Sequence, residues 1–138
     1  MHDLPRKLTA DELAELFGGR TRFVERLAER GHPFEVAREV LAELPEEEQV
    51  EALNAHPRIG APSPEQHGDQ PEVLTRLAYL NQVYEEKFGF SFVVFVAGRS
   101  RAELVPVLEE RLARSRDEEL ETGLRELCAI ARDRWTRT

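Results

Sequence analysis

The stretch EVLTRLAYLNQVYEEKFGFSFVVFV, residues 72–96, decides the fold. Its first two-thirds has helical spacing: Val73, Leu74, Leu77, Leu80, Asn81, Tyr84 and Phe88 fall along one face, which predicts a long amphipathic helix over about 72–88. The remainder changes character. Phe90-Ser91-Phe92-Val93-Val94-Phe95-Val96 is aromatic and β-branched, which favours extended backbone, and it is almost wholly apolar, which predicts burial on both sides. No other part of the sequence offers a strand to pair with it. The expectation is an all-α chain with one short buried extended segment, at about 91–96, threaded through a multi-helix core. Buried backbone N–H and C=O groups need partners, so a ligand is one candidate partner for this segment.

Working outward, helix signals fill the rest. Thr9 before Ala10-Asp11-Glu12 is a capping-box pattern, and Gly18-Gly19 should end that helix. Phe23, Val24, Leu27 and Ala28 mark a second helix closed by Gly31. Pro33 suits a first helical turn, and Phe34, Ala37, Val40, Leu41 and Leu44 give the stripe that follows. Pro45-Glu46-Glu47-Glu48 restarts a helix with acids at its positive end, leading to His56. Beyond Gly98-Arg99-Ser100, helices are expected at about 101–114 and 116–136, the last burying Leu120, Leu124, Leu127, Cys128, Ala131 and Trp135. Between His56 and the 72–88 helix, four prolines (Pro57, Pro62, Pro64, Pro71) and two glycines (Gly60, Gly68) forbid a regular element. An irregular stretch of that length inside a compact domain is often functional. With 138 residues, the expectation is one domain spanning 1–138.

Composition narrows the function. A net charge of -8 repels phosphate backbones and argues against nucleic-acid binding. The single cysteine, Cys128, rules out an internal disulfide and a multi-cysteine metal site, and with no histidine at helical spacing it reads as a core residue. No apolar run is long enough to cross a membrane. The polar N-terminus lacks a signal-peptide core, and Thr136-Arg137-Thr138 is no peroxisomal address, so a cytoplasmic protein is expected.

Four groups could carry chemistry. His56 ends a helix, a position that favours protonated imidazole, and Pro57 fixes its exit from the helix. A rigid imidazole suits general acid–base work, the alternative being a simple C-capping residue. Glu65-Gln66 sets a carboxylate beside an amide in the irregular stretch, or is a plain surface pair. A His56–Glu65–His67 metal site matches no recognised ligand spacing. Arg132 and Arg134 offer carboxylate-binding forks in the last helix, or complement its dipole.

The run Leu53-Asn54-Ala55-His56-Pro57-Arg58-Ile59-Gly60 resembles the L-x-x-H-P-x-(I/L)-G motif of the OHCU (2-oxo-4-hydroxy-4-carboxy-5-ureidoimidazoline) decarboxylase family. Leu80 to Val94 resembles its second signature, L-N-x-x-Y-x-x-(K/R)-F-G-F-x-F, and Gly98-Arg99-Ser100 and Ile130 to Arg134 are similar to its C-terminal part. The resemblance implies an all-α, homodimeric enzyme without metal or organic cofactor. It would release CO2 from OHCU to give (S)-allantoin, the third step from urate. It implies His56 and Glu65 as catalytic residues and a substrate site built from Pro57, Gln66, the Val93, Val94, Phe95 and Val96 backbone, and Arg134, with Arg132 as second choice. The stretch between His56-Pro57 and Glu65-Gln66 is shorter than its family counterpart, and Pro62 stands where the family often carries serine. The alternative expectation is a non-catalytic helical module, binding a ligand or a protein partner.

Overall fold

The computed structural model describes residues 7–56 and 71–137. Seven α-helices occupy them: α1 (Ala10–Phe17), α2 (Arg22–Ala28), α3 (Pro33–Glu43), α4 (Glu46–Asn54), α5 (Pro71–Phe88), α6 (Arg101–Leu112) and α7 (Arg116–Arg137). No strand occurs among the described residues, so the chain is all-α as expected. The local signals act as read. Thr9 and Glu12 form a reciprocal capping box on α1, Gly18 closes it in the left-handed region, and Pro33 opens α3. No described helix is long and apolar enough to cross a membrane.

Helix α7 is the spine, packing against α1, α3 and α4, while α5 lies along α6. At Gly123 of α7, an added Cβ would come within 3.2 Å of Leu53, so α4 approaches α7 over a glycine. The buried face of α7 is rotated from the expected stripe. Its centre is Glu119, Thr122, Gly123, Leu127, Ile130 and Ala131, whereas Leu120, Leu124, Cys128 and Trp135 are only half-buried. Hydrophobic periodicity alone misplaces the face because it counts Glu119 as solvated.

Glu119 is completely buried, and it joins three helices. Its carboxylate accepts from Tyr84 Oη of α5 (2.7 Å), Arg111 Nε of α6 (2.7 Å) and Arg114 Nη1 (3.1 Å). Burial and the adjoining carboxylate raise the Tyr84 pKa, so the phenol stays a neutral donor. Arg111 continues the chain of contacts: its Nη1 donates to the carbonyl of Val93 (2.7 Å), and its guanidinium lies over the Phe92 ring, 4.4 Å from the centroid.

The extended segment runs from 91 to 96 without a strand partner. Side chains replace the missing ladder. Ser91 N–H donates to Asn54 Oδ1 of α4 (2.9 Å), and Phe95 N–H to Glu126 Oε1 of α7 (3.3 Å). Phe92, Val93 and Val94 are buried, and Phe88, Phe90 and Phe92 cluster about Tyr84. Phe95 and Val96 are only half-buried, so burial on both sides holds for the first part of the segment alone. Those two residues border a cavity.

Removing one member of a buried ion pair strands the other charge, at a cost of about 3–5 kcal/mol. Urea unfolding of Glu119→Ala should therefore show a loss in that range. Breaking the exposed Arg20–Asp11 pair should cost under about 1 kcal/mol. Equal losses for the two variants would contradict the role given to Glu119.

Candidate active site

His56 stands just beyond the end of α4, with its N–H bonded back to the Leu53 carbonyl (3.2 Å). Its backbone rests on the α1–α2 turn. Gly18, at φ 93°, lies so close that an added Cβ would be 3.0 Å from the Ala55 carbonyl oxygen and 3.1 Å from His56 Cα. Glycine is required there twice over, for the left-handed backbone and for the close approach.

The imidazole forms part of the wall of a cavity of about 450 Å³, with Val94, Phe95, Val96, Arg99, Ile130, Asp133, Arg134 and Arg137 among its other lining residues. Among the described residues, three arginines face one aspartate, so this part of the lining is electropositive in an acidic chain. Arg137 Nε pairs with Asp133 Oδ2 (3.0 Å), which partly neutralises the outer end. Arg134 Nη1 donates to the Leu16 carbonyl (3.1 Å) in the last turn of α1, where carbonyls lack helical partners. That bond holds the guanidinium beside the cavity. Arg132 is exposed and does not line it.

A second cavity, about 390 Å³, touches His56 from another side and is lined by Asn54, Glu85, Gly89, Phe90 and Ser91. A third hollow of about 310 Å³, between α3, α4 and α7, is largely apolar and contains no histidine.

The protonation state of His56 reverses the sequence expectation. Burial, with the Arg134 charge adding to it, lowers its pKa to about 4. The helix C-terminus is outweighed because Nδ1 is buried with no hydrogen-bond partner among the described residues, a poor setting for a cation. At neutral pH the imidazole is uncharged, which equips it as a proton acceptor. Cys128 is inert by the same physics: burial pushes its thiol up to about 12.

The extended segment presents two unlike edges. In extended backbone, alternate residues direct their N–H and C=O groups to opposite sides. Four odd-numbered groups have partners: Ser91 N–H, Val93 C=O, Phe95 N–H and Phe95 C=O. The even-numbered groups, Val94 N–H and C=O and Val96 N–H, make no hydrogen bond among the described residues, and both valines line the cavity.

The structure therefore gathers His56, Val94, Phe95, Val96 and Arg134 around one cavity, which Val93 does not line, and ties the Val93 carbonyl to Arg111. Pro57, Glu65 and Gln66 lie outside the described residues. Sequence reasoning missed Arg99, Asp133 and Arg137 as lining residues. Two of them carried a signal: Ile130, Asp133, Arg134 and Arg137 recur at helical three-and-four spacing.

A folded pKa near 4, below the unfolded value near 6.5, means that the unfolded chain binds the proton first. His56 thus contributes stability that is complete above about pH 6.5 and is lost as pH falls towards 4. In an NMR titration, His56 should remain neutral down to about pH 5, and His56→Gln should lose less stability than the parent between pH 6.5 and 4. A His56 midpoint at or above 6.5 would contradict this environment.

Comparison with known proteins supplies the lineage. A family model described as OHCU decarboxylase matches residues 2–136. A 2-oxo-4-hydroxy-4-carboxy-5-ureidoimidazoline decarboxylase of Haloferax volcanii is 28% identical, across 95% of this chain and 94% of its own length. A uric acid degradation bifunctional protein of Bacillus sp. (strain TB-90) is 27% identical across 91% of this chain and 29% of its own length. The corresponding Arabidopsis thaliana bifunctional protein, TTL, is 34% identical across 59% and 30%. The chain thus spans less than a third of the length of these two bifunctional relatives. A crystal structure of an OHCU decarboxylase in the presence of (S)-allantoin superposes with a TM-score of 0.78, at 27% identity, covering 91% of this chain and 96% of the other. An (S)-allantoin synthase structure, 18% identical with a TM-score of 0.72 over 91% of this chain and 47% of its own, shares the fold. By the family model that covers nearly its whole length, the chain belongs to the OHCU decarboxylase family.

Proposed function

We propose that this chain is a carboxy-lyase that converts OHCU to (S)-allantoin without metal or organic cofactor, acting third in the route from urate. The observation that carries the reading is the cavity in which uncharged His56 and Arg134 share a wall with the free Val94–Val96 edge.

The chemistry asks for little beyond this. Loss of CO2 breaks the bond to the carboxylate carbon, and the electron pair enters the ring's own conjugated C=N. The substrate therefore supplies the electron sink that a cofactor provides elsewhere. The 4-hydroxyl becomes a carbonyl, and the former C=N carbon and nitrogen each gain a proton. One comes from the hydroxyl and one from solvent, so the protons balance.

Each residue has a place in that sequence. Uncharged His56 accepts the hydroxyl proton as the pair moves. Arg134 offsets the substrate's negative charge and orients its anionic end. Val94 and Val96 offer a donor–acceptor–donor backbone edge to the ureido and ring amide groups. Pro57 borders the substrate beside His56, Glu65 is the acid–base partner of His56, and Gln66 bonds the ureido end. These three assignments rest on the family resemblance alone. Protonation of the ring on a single face gives one enantiomer, which a chiral wall enforces and free solution does not. The chain is read as homodimeric on the same family grounds, and the cytoplasm remains its expected compartment.

Freshly generated OHCU, followed by circular dichroism of the allantoin formed, tests the proposal. The purified chain should yield one enantiomer rapidly, and folded His56→Gln should lose at least about 10²-fold in rate. Slow racemic product from folded protein would overturn the enzyme reading and favour a ligand-binding module. Full turnover by the variant would remove His56 from the chemistry.

A further inference from the structure

Arg99 lines the cavity and donates to the backbone just before it. Nε donates to the Val96 carbonyl (3.0 Å), and one terminal nitrogen, Nη2, donates to the Phe95 carbonyl (2.7 Å). Between them the backbone reverses tightly. Arg99 N–H also bonds the Val96 carbonyl (3.0 Å), and the two central residues, Ala97 and Gly98, both have positive φ, 52° and 79°. That is the pattern of a type I′ turn. Glycine adopts it freely, but alanine is strained there, and such a residue persists only where its surroundings over-determine it. The Arg99 fork is one interaction that restrains it.

The clamp is itself anchored. Ser100 caps α6 through a reciprocal bond with Glu103, so the residue after Arg99 is fixed to a helix start. One residue before its end, α6 also carries Arg111, which holds the Val93 carbonyl. The extended segment is therefore gripped at two points, through Arg111 of α6 at Val93 and through Arg99, just before the α6 cap, at Phe95 and Val96. Val94 lies between the grips and Val96 within the second, and their N–H groups have no protein partner among the described residues.

We propose that Arg99 is a positioning residue, whose grip on the Phe95 and Val96 carbonyls fixes the Val94–Val96 edge to receive a planar urea or amide edge of the ligand. The ligand class rests on the function proposed above, whereas the clamp rests on geometry alone. An edge held in register binds such a group without ordering itself first, so loss of the clamp falls on binding more than on the chemical step.

Arg99→Met and Arg99→Lys in the full chain test this, each compared with the parent by backbone ¹⁵N order parameters and by kinetics with OHCU. In Arg99→Met, the amides of residues 95–98 should drop from rigid values near about 0.85 to below about 0.6, with the thermal midpoint and helical circular dichroism little changed. KM should rise at least about tenfold, with kcat altered less than about threefold. Arg99→Lys keeps the charge but not the planar fork, so most of the KM defect should remain. Unchanged order parameters in Arg99→Met, or full rescue of KM by lysine, would overturn the positioning role. If the parent chain fails to turn over OHCU, the proposed reaction falls, and the order parameters still decide the clamp.

Discussion

A carboxylate buried in a helical core, Glu119, is the contact on which the arrangement depends. Water would solvate it better than protein unless the surrounding donors fully replace that solvation. Here the replacement comes from Tyr84 on α5, Arg111 on α6 and Arg114 beyond it, so satisfying one charge fixes the relation of α5 and α6 to α7. The network is not an obviously efficient source of stability, because desolvating both members of an ion pair offsets much of their attraction. Its value lies in direction. An apolar core would hold the same helices together without deciding where the Arg111 guanidinium points.

Where it points settles the extended segment. A lone buried strand has no ladder, and helices offer it no backbone groups in register. Arg111, Asn54 and Glu126 take its odd-numbered edge, each from a different helix. Of its even-numbered groups, Val94 N–H and C=O and Val96 N–H remain for the cavity. The proposed functional surface is thus backbone of this segment that the core leaves unbonded. His56 meets this edge because α4 is seated closely, over Gly123 on one side and Gly18 on the other. The low pKa of its imidazole follows from that burial and from Arg134, whose own position is fixed by the α1 carboxyl end.

Much of this was legible in the sequence, for identifiable reasons. The α5 face read correctly from Leu77 to Phe88 because its buried residues are apolar or, like Asn81 and Tyr84, bond within the core. The change of character after Phe88 marked the extended segment, and the absence of a pairing strand implied that its backbone would seek other partners. What periodicity could not show was the identity of those partners. Glu119 and Arg111 look like the solvated charges around them, and only three-dimensional proximity distinguishes them. The α7 face was misjudged for that reason, and the His56 proton was misplaced because a helix terminus is visible in sequence while burial of Nδ1 is not. Pro57, Glu65 and Gln66 fall outside the described residues, so their roles rest on resemblance alone.

The proposed function places ligand in the His56 cavity, against the Val94–Val96 backbone edge. Titrating ¹⁵N-labelled protein with (S)-allantoin and following amide shifts tests it most directly. The account predicts saturable shifts at Val94, Val96 and His56, with the hollow lined by Arg38, Leu41 and Leu124 unmoved. Shifts centred on that hollow, with Val94 and Val96 unaffected, would contradict it.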